Sequence, residues 1–252
     1  LFLLASTFVN KIEKMKIEIW SDVMCPFCYI GKRHLEQALD TLDFKQEIEI
    51  DWKSYQLNPT YKNEEGENLY EYLSRNKGMS LTQAKQMTQQ VAEMAGNVGL
   101  KLDFETSIPA NSFNAHRLIH FAAKNGKQDL AEELLFKAHF EEAKNIDDLS
   151  TLLKIAEALG LDAAEAKNVL ESNAFEEEVR YDIYESQQLG VRGVPFFVMD
   201  RKYALSGAQP VDAFKEAITQ SYNEWKAAQK NSSLKNLNTI DTNSCDENGC
   251  EV

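Results

Sequence analysis

The chain has 252 residues, 43% of them apolar, which suffices for a real core in one large domain or two small ones. With 40 acidic against 27 basic residues, the formal net charge of -13 argues against a general nucleic-acid or anionic-membrane surface. The 4 cysteines are too few for a disulfide-stapled scaffold and fall in two tight pairs, Cys25/Cys28 and Cys245/Cys250, a pattern that suggests redox work or metal binding.

Residues 1–14 read as an N-terminal extension. The run Leu1 to Val9 resembles the apolar middle of a secretory signal but has no basic leader and no convincing small-residue cleavage site. A cytoplasmic location is therefore expected, the alternative being an exported protein that keeps the remnant of a signal peptide. Lys16 to Trp20 then alternates apolar and polar residues as a strand does, and Ile30, Leu35, Ala38, Leu39 and Leu42 follow at approximately helical spacing. Cys25-Pro26-Phe27-Cys28 stands at that junction. A thiol near a helix N-terminus faces unpaired N–H groups and the positive end of the macrodipole, which favour its thiolate. Cys25 is accordingly the expected nucleophile, and Cys28 the thiol that resolves the mixed disulfide Cys25 leaves.

Glu47 to Trp52 alternates again and predicts a second strand, closed by Asn58-Pro59. From about residue 67 helical patterns dominate. Ser80-Leu81-Thr82-Gln83 looks like a capping box, opening a helix with Ala84, Met87, Val91, Met94 and Ala95 on one side. Further helices are expected from Asn111 to Asn125-Gly126, around Leu130, Leu134, Leu135 and Ala138, around Leu152 to Leu159, after Asp162, and from Phe175 towards Leu189. Val194 to Met199 and Tyr203 to Leu205 read as a hairpin turning at Asp200-Arg201-Lys202, and residues 211–228 as a last helix. Strands at both ends of the sequence can share one sheet only if the helices between them are an insertion. The expected α/β organisation is therefore a sheet domain in two parts, 15–66 and 175–228, an all-helical insertion over 67–174, and a polar tail over 229–252.

Three segments carry a family resemblance: Trp20-Ser21-Asp22-Val23-Met24-Cys25-Pro26-Phe27-Cys28-Tyr29-Ile30-Gly31, Asn114-Ala115-His116-Arg117, and Gly190-Val191-Arg192-Gly193-Val194-Pro195-Phe196-Phe197. In order and spacing the chain resembles the DsbA-type thiol–disulfide oxidoreductases of the thioredoxin-like superfamily, and the FrnE branch in particular. The resemblance implies a thioredoxin-like fold with a large helical insertion, a cis Val194-Pro195 bond facing the two sulfurs, and reduction or isomerisation of protein disulfides. It also implies that Val194, Pro195, Pro26 and Phe27 meet the substrate, the exposed backbone of Val194 pairing with an extended segment. Thiol- or disulfide-bearing proteins are the expected partners, with thioredoxin or glutathione as redox partner, no bound cofactor, no nucleic acid and no membrane. Related sites carry a His between the cysteines, and Pro26-Phe27 lacks one, so a less oxidising disulfide is expected here.

Each remaining residue has a plainer reading beside the functional one. Asp22 could pass a proton to or from Cys28, or simply cap the helix that follows. His34 lies too far along that helix for proton transfer and reads as a surface residue. His116 and Arg117 fall in a region shared with 2-hydroxychromene-2-carboxylate isomerases, which use Ser where Cys25 stands, so a glutathione-dependent isomerase is the alternative function. Contacts between insert and core are the plainer account of both residues. Cys245 and Cys250, bent together by Asn248-Gly249, are auxiliary redox candidates that a tail of at most about 55 Å from Ala228 could bring to the first pair. All four cysteines could instead ligate zinc, but the resemblance to a cis-proline family speaks against a metal site.

Overall fold

The structure is a computed structural model and describes residues 13–62 and 66–232, apart from the side chains of 230–232. Four strands form one sheet in the order β2-β1-β3-β4: β1 (Met15–Ser21), β2 (Ile48–Ser54), β3 (Phe196–Met199) and β4 (Tyr203–Ser206). β1 runs parallel to β2 and antiparallel to β3, and β3 and β4 form the expected hairpin. Nine α-helices occur among the described residues. α1 (Pro26–Asp40) joins β1 to β2, α2 to α7 are inserted after β2, α8 (Glu176–Gln188) returns the chain to β3, and α9 (Val211–Ser232) closes the fold.

Period-two alternation along β1 divides its two faces. Met15, Ile17 and Ile19 point to a core with Leu35 and Ala38 of α1 and Phe214 and Ile218 of α9. Glu18 and Trp20 point to the other face, where the Trp20 indole donates to the Asp182 carbonyl of α8 at 2.9 Å. Asp182 also accepts the Ser54 amide at 2.9 Å, so one buried carboxylate ties α8 to β2. The exposed edge of β2 is blunted by the side chain of Gln128, which accepts from the Trp52 N–H at 3.1 Å and donates to the Trp52 carbonyl at 2.8 Å.

The inserted helices α2 (Leu69–Lys77), α3 (Leu81–Gly96), α4 (Phe113–Lys124), α5 (Gln128–Phe140), α6 (Leu149–Ala158) and α7 (Ala163–Glu171) build a second core. Val23, Cys25, Cys28, Tyr29 and Ile30 belong to that second core and not to the one under the sheet. The capping box at Ser80 and Gln83 forms as expected, and Asn68 with Glu71 makes another that opens α2. The buried face of α3 is Ala84, Thr88, Val91 and Ala95, whereas Met87 and Met94 are exposed. At three residues per step the methionines drift onto the flank of that stripe, and two long side chains there leave the close approach to the small ones. Likewise Leu130 and Leu189 are exposed, Leu189 lying just past the end of α8.

Candidate functional site

Cys25 is the N-cap of α1, with extended backbone (φ -99°, ψ 111°) and Pro26 at the first helical position, where the missing N–H costs nothing. The Cys25 N–H donates to the Asp22 carbonyl at 2.8 Å and the Cys28 N–H to the Cys25 carbonyl at 3.0 Å, a tight turn that stacks both sulfurs at the helix mouth. Both cysteines are free thiols, 3% and 1% exposed. The Cys25 thiol donates to the Val194 carbonyl at 3.5 Å. Burial holds the Cys28 thiol well above its ordinary pKa, and its hydrogen bond to the Cys25 sulfur raises it further. The Asp22 N–H and the nearby Ser21 hydroxyl pull the other way, though that buried hydroxyl completes no hydrogen bond of full geometry.

The Val194-Pro195 peptide bond is cis. Pro195 stands just before β3, which the Trp20–Phe196 register sets beside the end of β1, and its ring lies against α1 at Gly31. Gly31 permits that approach: a Cβ there would lie 3.0 Å from Pro195 Cγ and 3.2 Å from Phe197 Cζ. Phe27 is 39% exposed and Pro26 half-buried, so both sit at the surface around the buried sulfurs.

Asp22 does not cap α1, which has no side-chain cap. It accepts instead from the Met24 N–H at 3.1 Å and the Leu57 N–H at 2.6 Å, pinning the turn before Cys25 to the segment that leaves β2. His116 donates to the Tyr55 carbonyl at 2.9 Å, with its Nε2 3.8 Å from Asp22. Arg117 is spent on carbonyls at the end of α7, reaching Val169, Leu170, Ser172 and Ala174. His34 is half-buried and not a surface residue, because its Nδ1 donates to the Gln209 carbonyl at 2.7 Å and so ties α1 to the start of α9. Ser54, His120 and Asp182 imitate a hydrolytic triad, but both partners meet the same His120 nitrogen, each at 3.1 Å, so no relay through the ring exists. Cys245 and Cys250 lie outside the described residues, and among the described residues no group of acids, His and Cys is arranged to hold a metal.

A charged seam between α1 and α5 is not signalled by any motif or periodicity in the sequence. Lys32, 2% exposed, meets Glu36, Asp129 and Glu133, and Arg33 meets Glu36 and Glu133. The Tyr29 hydroxyl donates towards Glu133 and Glu141 at 3.0 and 3.1 Å, while its ring stacks on Phe136 at 4.8 Å. A cleft of about 560 Å³ opens where β2 ends, lined by Gln56, Tyr61, Asn111, Phe113, Asp147 and Arg180 among others, and neither thiol lines it.

Residues 16–219 match the DSBA-like thioredoxin domain family. The chain belongs to that family. It is 33% identical to a probable DsbA oxidoreductase of Streptomyces coelicolor, SCO1869, whose crystal structure superposes with a TM-score of 0.79 over 94% of this chain and 99% of that one. The protein YwbO of Bacillus subtilis strain 168 is 28% identical over 207 residues, covering 81% of this chain and 95% of its own. A 2-hydroxychromene-2-carboxylate isomerase shares the fold at 19% identity, with a TM-score of 0.59 over 88% of this chain and 100% of that one. The same fold therefore serves different reactions, and the residues at the mouth of α1 have to decide between them.

Proposed function

We propose that this chain is a protein thiol–disulfide oxidoreductase that reduces or isomerises disulfides through Cys25. What carries the reading is the position of Cys25 as N-cap of α1, with Cys28 one turn behind it and the Val194 carbonyl 3.5 Å from its sulfur. The Cys25 thiolate attacks one sulfur of a substrate disulfide, forming a mixed disulfide and releasing the other sulfur as a thiolate. Cys28 then gives up its proton and attacks the Cys25 sulfur. The Cys25–Cys28 disulfide forms, the second substrate thiolate leaves, and two electrons have passed to the substrate. In isomerisation a different substrate thiolate displaces Cys25 and the enzyme ends as the dithiol. Thioredoxin or glutathione, in a cytoplasmic setting, would return the two electrons after reduction.

The substrate segment runs beside Val194 and Pro195 and over Pro26 and Phe27. It takes the Val194 carbonyl that now accepts from Cys25, as a strand added to an edge does. The insertion over 67–174 supplies a further surface for it, and Cys245 and Cys250 exchange electrons with the first pair. A resolving thiol behind the nucleophile favours electron exchange over glutathione-assisted isomerisation of a small molecule, which needs no second sulfur. Replacing Cys25 with Ser should abolish insulin reduction, and unchanged turnover would refute the assignment. Cys28→Ser should accumulate mixed disulfides with protein substrates that a reductant releases; a failure to trap any would remove Cys28 from the resolving step.

A further inference from the structure

α5 also has a side turned away from the redox helix. Residues two apart in a helix point in nearly opposite directions, so Leu134 and Ala138 stand across the axis from Phe136, whose ring stacks on Tyr29. On that far side a cleft of about 320 Å³ opens between α5, α6 and the turn that joins them, a volume in the range of small-molecule sites. Leu134 and Ala138 from α5 with Ile155 and Ala158 from α6 give it an aliphatic floor that contains no aromatic ring. Three lysines, Lys137, Lys144 and Lys154, and one acid, Glu142, complete its rim. Lys137 pairs with Glu142 at 3.5 Å, whereas Lys144 and Lys154, both exposed, form no ion pair among the described residues. The turn fixes where Lys144 leaves the chain: Ala143 takes a positive φ of 52°, and the Lys144 N–H then donates to the Ala138 carbonyl at 2.8 Å.

We propose that this cleft binds a small amphipathic anion, a short aliphatic carboxylate, with its chain on Leu134, Ala138 and Ile155 and its head group met by the ammoniums of Lys144 and Lys154. With Lys137 and Glu142 cancelling, the rim keeps the positive charge of the other two lysines on a chain whose net charge is -13. Such a chain repels anions as a whole, so the rim holds only an anion that gains something further from the floor. Removing an aliphatic chain from water supplies that gain. A polyphosphate would leave the floor bare, and an aromatic acid would find no ring to stack on. None of these residues hydrogen-bonds to either cysteine, and the assignment stands apart from the exchange reading above.

The test titrates the full chain at low salt with butanoate, hexanoate and octanoate and follows the methyl groups of Leu134, Ala138 and Ile155 by carbon-13 NMR. Octanoate should saturate these signals with a Kd of about 1 mM, and affinity should rise about threefold for each carbon added to butanoate. The double variant Lys144→Gln, Lys154→Gln changes two exposed side chains and should bind octanoate about fivefold more weakly. On the wild-type protein 1-octanol, which lacks the charge, should be weaker than octanoate by about the same factor. Butanoate binding as tightly as octanoate, methyl signals that octanoate leaves unmoved, or equal affinities for octanoate and octanol would each overturn the proposal. Signals that respond to a peptide rich in glutamate and leucine but not to octanoate would make the cleft a protein-docking groove and overturn it as well.

Discussion

At the scale of single residues, one missing Cβ sets the distance between the redox helix and the proline loop. Gly31 has ordinary helical geometry, so alanine would gain the helix propensity that glycine lacks, up to about 1 kcal/mol. Its methyl would nevertheless press on Pro195 Cγ at 3.0 Å and Phe197 Cζ at 3.2 Å, both in a packed layer. Gly31→Ala is therefore expected to leave the free energy of urea unfolding within about 1 kcal/mol of wild type while slowing insulin reduction several-fold, and Gly31→Val should be worse on both counts. Equal turnover in all three proteins would show that the gap beside Pro195 is not critical. The pairing of Cys25 with Cys28 at a strand-to-helix junction was legible in the sequence as a short motif whose chemistry needs its spacing, whereas the cis bond at Pro195 was expected only through the family resemblance. The need for glycine at position 31 was not legible, since nothing local distinguishes it from any small residue on a helix; it follows from a contact across 164 positions of chain, Gly31 to Pro195.

At the scale of elements, periodicity located the helices and strands well but misjudged what covers them. α9 runs to Ser232, beyond the expected stop near residue 228, because nothing between them breaks a helix. The hairpin between β3 and β4 turns through Asp200 and Arg201, both with positive φ (50° and 54°), without the glycine or asparagine such turns usually carry. Arg201 is held there by Glu18 of β1 and Glu185 of α8, partners far off in sequence. Arg117 is a comparable device: a buried cation from α4 that closes the end of α7, where the helix presents its unpaired carbonyls and negative pole. Arg117→Met should leave these carbonyls unsatisfied and cost about 2–4 kcal/mol in urea unfolding. Insulin reduction per folded molecule should stay near the wild-type rate. A large loss of rate without loss of stability would move Arg117 from structure to substrate binding.

At the scale of the whole molecule, the interrupted sheet is legible from topology alone, since strands so far apart in the chain must share partners. The two-core arrangement, in which the thiols belong to the helical core, and the ionisable groups inside that core are not, because they depend on contacts between distant helices. Glu132 and His139 sit in the apolar pattern of α5 and read as ordinary helix residues until their neighbours are known. Their effect on stability has a definite sign. Glu132 holds its proton up to about pH 8 when folded but only to about 4.5 when unfolded, so its contribution is complete in acid and lost as pH rises through that interval. His139, buried and neutral, is held down to about 4 from an ordinary 6.5, so its contribution is complete above 6.5 and lost on acidification. Between about 4.5 and 6.5 the two slopes cancel; above that only Glu132 remains. Wild-type stability relative to Glu132→Gln should therefore fall by about 2 kcal/mol from pH 6.5 to pH 8, read by chemical unfolding of the dithiol at each pH. A flat difference would mean that the carboxyl is already ionised at neutrality.

With only 3% of Cys25 reaching solvent and its hydrogen engaged by the Val194 carbonyl, the nucleophile is shuttered at rest. Diffusing oxidants and alkylating agents meet a closed door, and a chain that offers its own amide to Val194 holds the key. Discrimination between a misbonded protein and the small electrophiles of a cell would then come from backbone recognition, before any sulfur is touched. Iodoacetamide labelling of the resting dithiol should be slow, and an extended peptide without cysteine should speed it by freeing the Cys25 hydrogen; labelling at the rate of a free thiol would show that the shutter stands open.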